Sequence, residues 1–289
     1  LVLSGGGSYC AYQAGVILGL CAENKYDFDR IIGVSGGAIN AAYLSQADQG
    51  PDSQINMTSY ARGLYNLWLN LSGDQDVYES RTLAWPRAVL GCINSIYSLD
   101  PFRSLLRKHL SLEALKASGR LGGIGTYDIR GMRYLEWKPE GHYSHECFLN
   151  LIVASASIPG AFEPVEGTDG CLLVDGGLWE IAPTRNAFRN NPDEIVVIVT
   201  SPVVSDEDGL PTIVCDGMAE KDRKNPSAGA ILRATAEAMT ACVLEGDLRR
   251  MIQANNRITG TNGDGYAAAT GKRYVDLKIM APAPGALGE

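Results

Sequence analysis

Apolar residues in this chain gather into short runs that stop at glycine and give way to stretches of helical character. LVLS (1–4) reads as a buried strand ending at Gly5-Gly6-Gly7, and YCAYQAGVILGLCAE then reads as a helix. FDRIIGVS (28–35) is a second strand, with GGAINAAYLSQA as the helix after it. Strand, turn and helix repeated in this way open a parallel α/β sheet. Residues 55–118 look mostly helical (YARGLYNLWLNL, PFRSLLRKHL, SLEALKAS) and are expected to form a cap over the sheet. From 121 the pattern turns to β: LGGIGTYDI, a turn at Arg130-Gly131, then MRYLEWK, a hairpin or two adjacent strands. FLNLIVASASIPGAF fits strand or helix, because so short an apolar run has no decisive period. CLLVDGG is a short strand that ends in a carboxylate, and DEIVVIVTSP (193–202) is a core strand. SAGAILRATAEAMTACVLEGDLRRMIQANN is helical, and KRYVDLKIMAP closes the chain as a strand. With no linker and no repeat, the pattern predicts one α/β domain over 1–289, a mostly parallel central sheet sandwiched by helices.

Size and composition narrow the function. At 289 residues and 45% hydrophobic content the chain can bury a large core. A net charge of −8 argues against nucleic acid, whose binders carry a basic footprint, and gives anionic membranes no global attraction. The basic cluster Arg103, Arg107 and Lys108 reads as a solvated helix face. The cysteines at 10, 21, 92, 147, 171, 215 and 242 form no Cys-x-x-Cys pair and join no histidine cluster, so neither zinc nor a redox motif is expected. Several sit in apolar runs (YCAY, GCLLV), as buried cysteines do, and a reducing, cytoplasmic setting is the simplest account. Apolar stretches such as AGVILGLCA fall well short of the roughly 18 residues of a membrane span. The sequence opens inside a predicted strand, without methionine and without a charged leader, so a preceding segment is expected.

The chemistry centres on GVSGG. Gly33-Val34-Ser35-Gly36-Gly37 fits Gly-x-Ser-x-Gly, the pattern that presents a serine on a sharp strand-to-helix turn. Such a serine needs a base, because its hydroxyl is a poor nucleophile at neutral pH. The histidines, His109, His142 and His145, all precede the best acid candidate, so a Ser-Asp-His order is unavailable with that acid. That acid is Asp175 in LLVDGGLWE, expected at the C-terminal end of a parallel strand, with Gly176 and Gly177 allowing close backbone approach. The glycines at 5–7 lack the third glycine of a dinucleotide fingerprint, which would fall at Cys10. A glycine turn opening a helix can instead offer backbone N–H groups to an oxyanion.

In this order, SGGGSYCAYQAGVILGL, GVSGGAINAA and VDGGLWEIAPTRNAF resemble the patatin-like phospholipase family. The likeness extends to LIVASASIPGAFEPV and PDEIVVIVTSP, covering most of residues 1–202. It implies a three-layer fold and a Ser–Asp dyad, with Ser35 as nucleophile and Asp175 as base. Gly5, Gly6, Gly7 and Gly36 would form the oxyanion hole. It also implies acyl-ester hydrolysis on a phospholipid or lysophospholipid at a membrane surface, with no metal or cofactor; a protein activator is a further candidate partner. Peripheral contact is expected through Trp68, Trp85, Tyr97 and Phe102. The chain departs from the family pattern at Tyr9 and Cys10, where a basic residue and a glycine are usual. Cysteine adopts positive φ less readily than glycine, so an altered loop is expected there. Two other readings stay open: a non-catalytic protein of this fold that binds lipid or a partner, and a soluble thioesterase or protease.

Overall fold

Two strand–helix steps and a third helix open the chain in the computed structural model, which describes residues 1–22, 26–81, 95–215, 224, 226–259 and 273–287. In chain order they are β1 (Val2–Leu3), α1 (Cys10–Ala22), β2 (Ile31–Val34), α2 (Gly36–Leu44) and α3 (Ser53–Leu69). A small ladder, β3 (Glu79–Ser80) with β4 (Tyr97–Ser98), precedes α4 (Asp100–His109) and α5 (Leu112–Ser118). The hairpin β5 (Leu121–Asp128) and β6 (Arg133–Trp137) follows, then α6 (His145–Ser155), β7 (Val165–Glu166) and β8 (Leu172–Asp175). The rest is α7 (Thr184–Ala187), β9 (Glu194–Ile198), the antiparallel pair β10 (Val203–Ser205) and β11 (Pro211–Ile213), α8 (Ala228–Thr259) and β12 (Asp276–Met280).

The central sheet is mostly parallel: β12, β9, β1, β2 and β5 lie side by side in one direction, β6 and β8 run against them, and β7, antiparallel to β8, runs with them again. Successive residues of a strand face opposite sides, and here they feed two separate cores. Val196 and Ile198 of β9 join Leu3, Ile31 and Ile124 in one; Ile195, Val197 and Val199 join Val2 in the other. The first core is covered by α1 to α6 and the second by α8, which buries Leu244, Leu248 and Met251. The segment expected as a cap is helical at α3, α4 and α5; its buried Met57, Leu64, Phe102, Leu106 and Leu115 make it part of the flanking layer. FLNLIVASASIPGAF resolves into α6, which Ser144 caps by accepting the Cys147 N–H at 3.2 Å.

One expectation is corrected. Asp175 does not end a parallel strand; β8 is antiparallel to β5, with Asp175 opposite Thr126. Ile124 and Gly125 of β5 pair with both β2 and β6, so those two strands lie on opposite edges of β5. Thr126, Tyr127 and Asp128 pair with both β6 and β8, which puts β8 on the same edge as β2. The two strands therefore run toward each other along one edge. Val34 faces Gly125 and Asp175 faces the next residue, Thr126, so the C-terminal ends of β2 and β8 meet.

Candidate active site

Ser35 stands where β2 ends and α2 begins, at φ 55° and ψ −130°, outside the regions L-residues favour. The sharp turn is possible because its neighbours have no side chains. A Cβ on Gly33 would clash with the Gly37 carbonyl oxygen, and one on Gly37 would clash with that of Ser4. From across the sheet, the Ser35 N–H donates to Ser155 Oγ at 2.9 Å, and that hydroxyl donates to the Gly125 carbonyl at 2.6 Å. Ser155 thus ties the elbow to β5. It carried no sequence signal beyond its place in the ambiguous apolar run. Ser155→Ala leaves a buried donor and acceptor unpaired, and is expected to cost about 1–3 kcal/mol in denaturant unfolding.

Asp175 completes the pair. Both residues are buried, Ser35 at 7% and Asp175 at 6% exposure. The carboxylate accepts the Gly177 N–H through Oδ1 at 2.7 Å, and the Ser35 hydroxyl lies near enough to act on its pKa. Its own N–H donates to the Ser157 carbonyl at 3.0 Å. Burial pushes the Asp175 carboxyl up to about 6, with the Gly177 N–H and the Ser35 hydroxyl pulling the other way. A carboxylate near that value can take a proton at neutral pH and return it.

The histidines sit elsewhere. His109 packs on Tyr43, 6.4 Å between ring centroids. His145 opens α6, whose far end carries Ser155, roughly 15 Å of helix away. Among the described residues no group of three or more His, Cys, Asp or Glu could hold a metal ion.

The glycine turn lies directly over the serine: a Cβ on Gly5 would sit 3.2 Å from Ser35 Cβ. Gly5, expected from the sequence to be an oxyanion donor, instead gives its N–H to the Ile181 carbonyl at 3.0 Å. Gly6, Gly7 (φ +55°) and Gly36 remain as the backbone donors around the site. Cys10, where an altered loop was expected, has φ −65° and starts α1 without strain. Its side chain fills space against Gly36, where a Cβ would meet Cys10 Sγ at 2.7 Å. Burial, and then the charge of Asp175, pushes the Cys10 thiol well above its ordinary range, which keeps it neutral.

Beneath the turn runs a polar network that sequence reasoning missed. Gln13 donates to the Ser4 and Ile198 carbonyls at 2.8 and 3.1 Å, Asn40 donates to Gln13 Oε1 at 3.0 Å, and Trp68 Nε1 donates to Asn40 Oδ1 at 2.8 Å. This corrects the expected membrane face: Trp68 serves the interior, Phe102 is buried, and Tyr97 packs on Tyr78 and Phe162. Trp85 lies outside the described residues. A cleft of about 730 Å³ opens over β6 beside Trp179 and Glu180, and neither Ser35 nor Asp175 lines it.

A sequence model of patatin-like phospholipases matches residues 1–191, about two thirds of the chain. The chain belongs to the patatin-like phospholipase family. The uncharacterized protein YjjU of Escherichia coli (strain K12) is 24% identical over 204 residues, 70% of this chain and 52% of the relative. The chain thus spans about half the length of the curated relative it matches. As in the family pattern, glycine turn, serine elbow and Asp-Gly-Gly come in order; α8 and β12 fall beyond the matched span. Among the described residues, no helix is long and apolar enough to cross a membrane.

Proposed function

We propose that the protein hydrolyses fatty-acyl esters of phospholipids or lysophospholipids with a Ser35–Asp175 dyad. The observation that carries this reading is a buried carboxylate of raised pKa beside Ser35, where the C-terminal ends of β2 and β8 meet. As Ser35 Oγ bonds to the ester carbonyl carbon, its proton passes to Asp175. The carbonyl oxygen becomes an oxyanion facing the N–H groups of Gly6, Gly7 and Gly36, donors worth about 3–4 kcal/mol each when aligned. Collapse breaks the ester C–O bond, the leaving alcohol takes the proton from Asp175, and an acyl-serine remains. Water, deprotonated by Asp175, then attacks the acyl carbon; fatty acid leaves and Ser35 regains its proton.

Release of fatty acid from mixed phospholipid vesicles tests the reaction, alongside mass spectrometry after treatment with a fluorophosphonate. That reagent transfers phosphorus to Ser35 Oγ as its P–F bond breaks and fluoride leaves. A folded protein that releases no fatty acid and takes no adduct at Ser35 would refute the proposal.

The rim of the site supports contact with a lipid surface. Tyr9, Ile158, Leu178 and Trp179 are between 46% and 50% exposed, and each lies within two residues of Gly7, Ser157 or Gly177. With a net charge of −8, attraction to this surface would be apolar rather than ionic. Leu178→Asp combined with Ile158→Asp is expected to lower sedimentation with zwitterionic vesicles about tenfold, a loss of roughly 1.4 kcal/mol. Turnover of a short soluble ester should change little.

A further inference from the structure

We infer that Asp247, on the C-terminal helix α8 and beyond the family-matched span, is a positioning residue for the oxyanion turn and the Asp175 loop. This rests on the reading of Ser35 and Asp175 given above. Asp247 is fully buried, and its Oδ2 accepts two backbone donors, Ile181 N–H at 2.8 Å and Ala182 N–H at 3.0 Å. Ile181 is the residue that holds the glycine turn, because its carbonyl takes the Gly5 N–H at 3.0 Å. Its side chain also fills the space beside the Asp175 loop, where a Cβ on Gly177 would meet Ile181 Cγ1 at 3.3 Å. One carboxylate oxygen therefore holds the peptide that touches both Gly5, at the start of the glycine turn, and the backbone beside the base. A shift of the Ile181 peptide moves Gly5 and, with it, the adjoining Gly6 and Gly7. Misplacement of about 1 Å at a reacting centre can cost a hundredfold in rate.

Arg250 pairs with the other oxygen, but its guanidinium is half exposed and can turn to water if the partner is lost. Burial pushes the Asp247 carboxyl up to about 7, against the pull of the Ala182 N–H. A neutral amide in its place is therefore electrostatically close. Because both N–H donors use the same oxygen, an asparagine carbonyl can serve both, and an apolar residue of similar size can serve neither.

The test compares wild type with Asp247→Asn and Asp247→Leu in the full chain, on a soluble short-chain p-nitrophenyl ester and in the rate of fluorophosphonate labelling of Ser35. Asp247→Leu should lose about tenfold to a hundredfold in kcat and in labelling rate with KM nearly unchanged, and Asp247→Asn should restore both to within about threefold. Circular dichroism and thermal midpoints identify folded preparations, and if the leucine variant does not fold, the asparagine variant alone decides. A folded Asp247→Leu as fast as wild type, or an Asp247→Asn that loses more than about tenfold, would overturn the inference. A wild type that neither turns over nor labels at Ser35 defeats the dyad reading, and this inference with it.

Discussion

Ser35→Ala and Ser35→Gly should both reduce fatty-acid release at least about a thousandfold, corresponding to roughly 4 kcal/mol of barrier, yet differ in stability. In the proposed mechanism, removing the hydroxyl takes away the atom that receives the acyl group. The difference comes from the backbone. Ser35 holds φ 55° with ψ −130°, a conformation that costs a residue with a Cβ about 1–3 kcal/mol and glycine much less. Alanine keeps the Cβ and the strain. Glycine relieves the strain, so Ser35→Gly should unfold at higher denaturant than Ser35→Ala, by about 1–2 kcal/mol after allowing for its more flexible unfolded chain. Equal stability of the two variants would show that the elbow is not strained.

Asp175→Asn should be as inactive as Ser35→Ala and more stable than wild type. The folded pKa of about 6 lies above the ordinary value of 3.8, so ionising Asp175 costs the folded state more than the unfolded one. In the window between those values the unfolded chain has released its proton and the folded chain has kept it. Stability from this group is present at low pH and lost as pH rises from about 4 to about 6. At pH 7.5 the cost is on the order of 3 kcal/mol, which asparagine removes while its carbonyl still accepts the Gly177 N–H. A rise in thermal midpoint of about 5 °C is expected. The same ionisation switches on the base, so wild-type kcat/KM should climb through about pH 6 to a plateau as stability declines. A pH profile flat from 5 to 8 would rule out Asp175 as the titrating base.

Much of this was legible in the residues because the relevant rules are local. Glycine is needed wherever a chain turns tightly or backbones touch, so Gly33, Gly37 and Asp-Gly-Gly marked the elbow and the carboxylate loop. Alternation found the hairpin of β5 and β6, and apolar runs found β9. What stayed hidden depended on partners distant in sequence. The direction of β8 is set by β5, and nothing in LLVD distinguishes parallel from antiparallel pairing. Ser155 and Asp247 are ordinary polar residues until folding places them against Ser35 and Ile181. Gly5 looked like a donor because its own residue type says nothing of the Ile181 carbonyl that takes its N–H. Trp68 and Phe102 looked like membrane anchors for a similar reason, since an aromatic residue on a helix reads the same whether it faces water or a core.

The meeting of β2 and β8 along one edge of β5 makes that strand a ruler. The reach from nucleophile to base is set by two consecutive residues, Gly125 and Thr126, at about 3.3 Å per residue. Outside β5 and the end of α6, the chain between Ser35 and Asp175 takes no part in that spacing. It can lengthen, shorten or acquire new surface loops without altering the distance across which the proton must move. A single residue inserted into β5 between Gly125 and Thr126 would separate the pair. Relatives of very different length can thus share one reaction centre, with substrate preference left to drift in the loops while the ruler stays fixed.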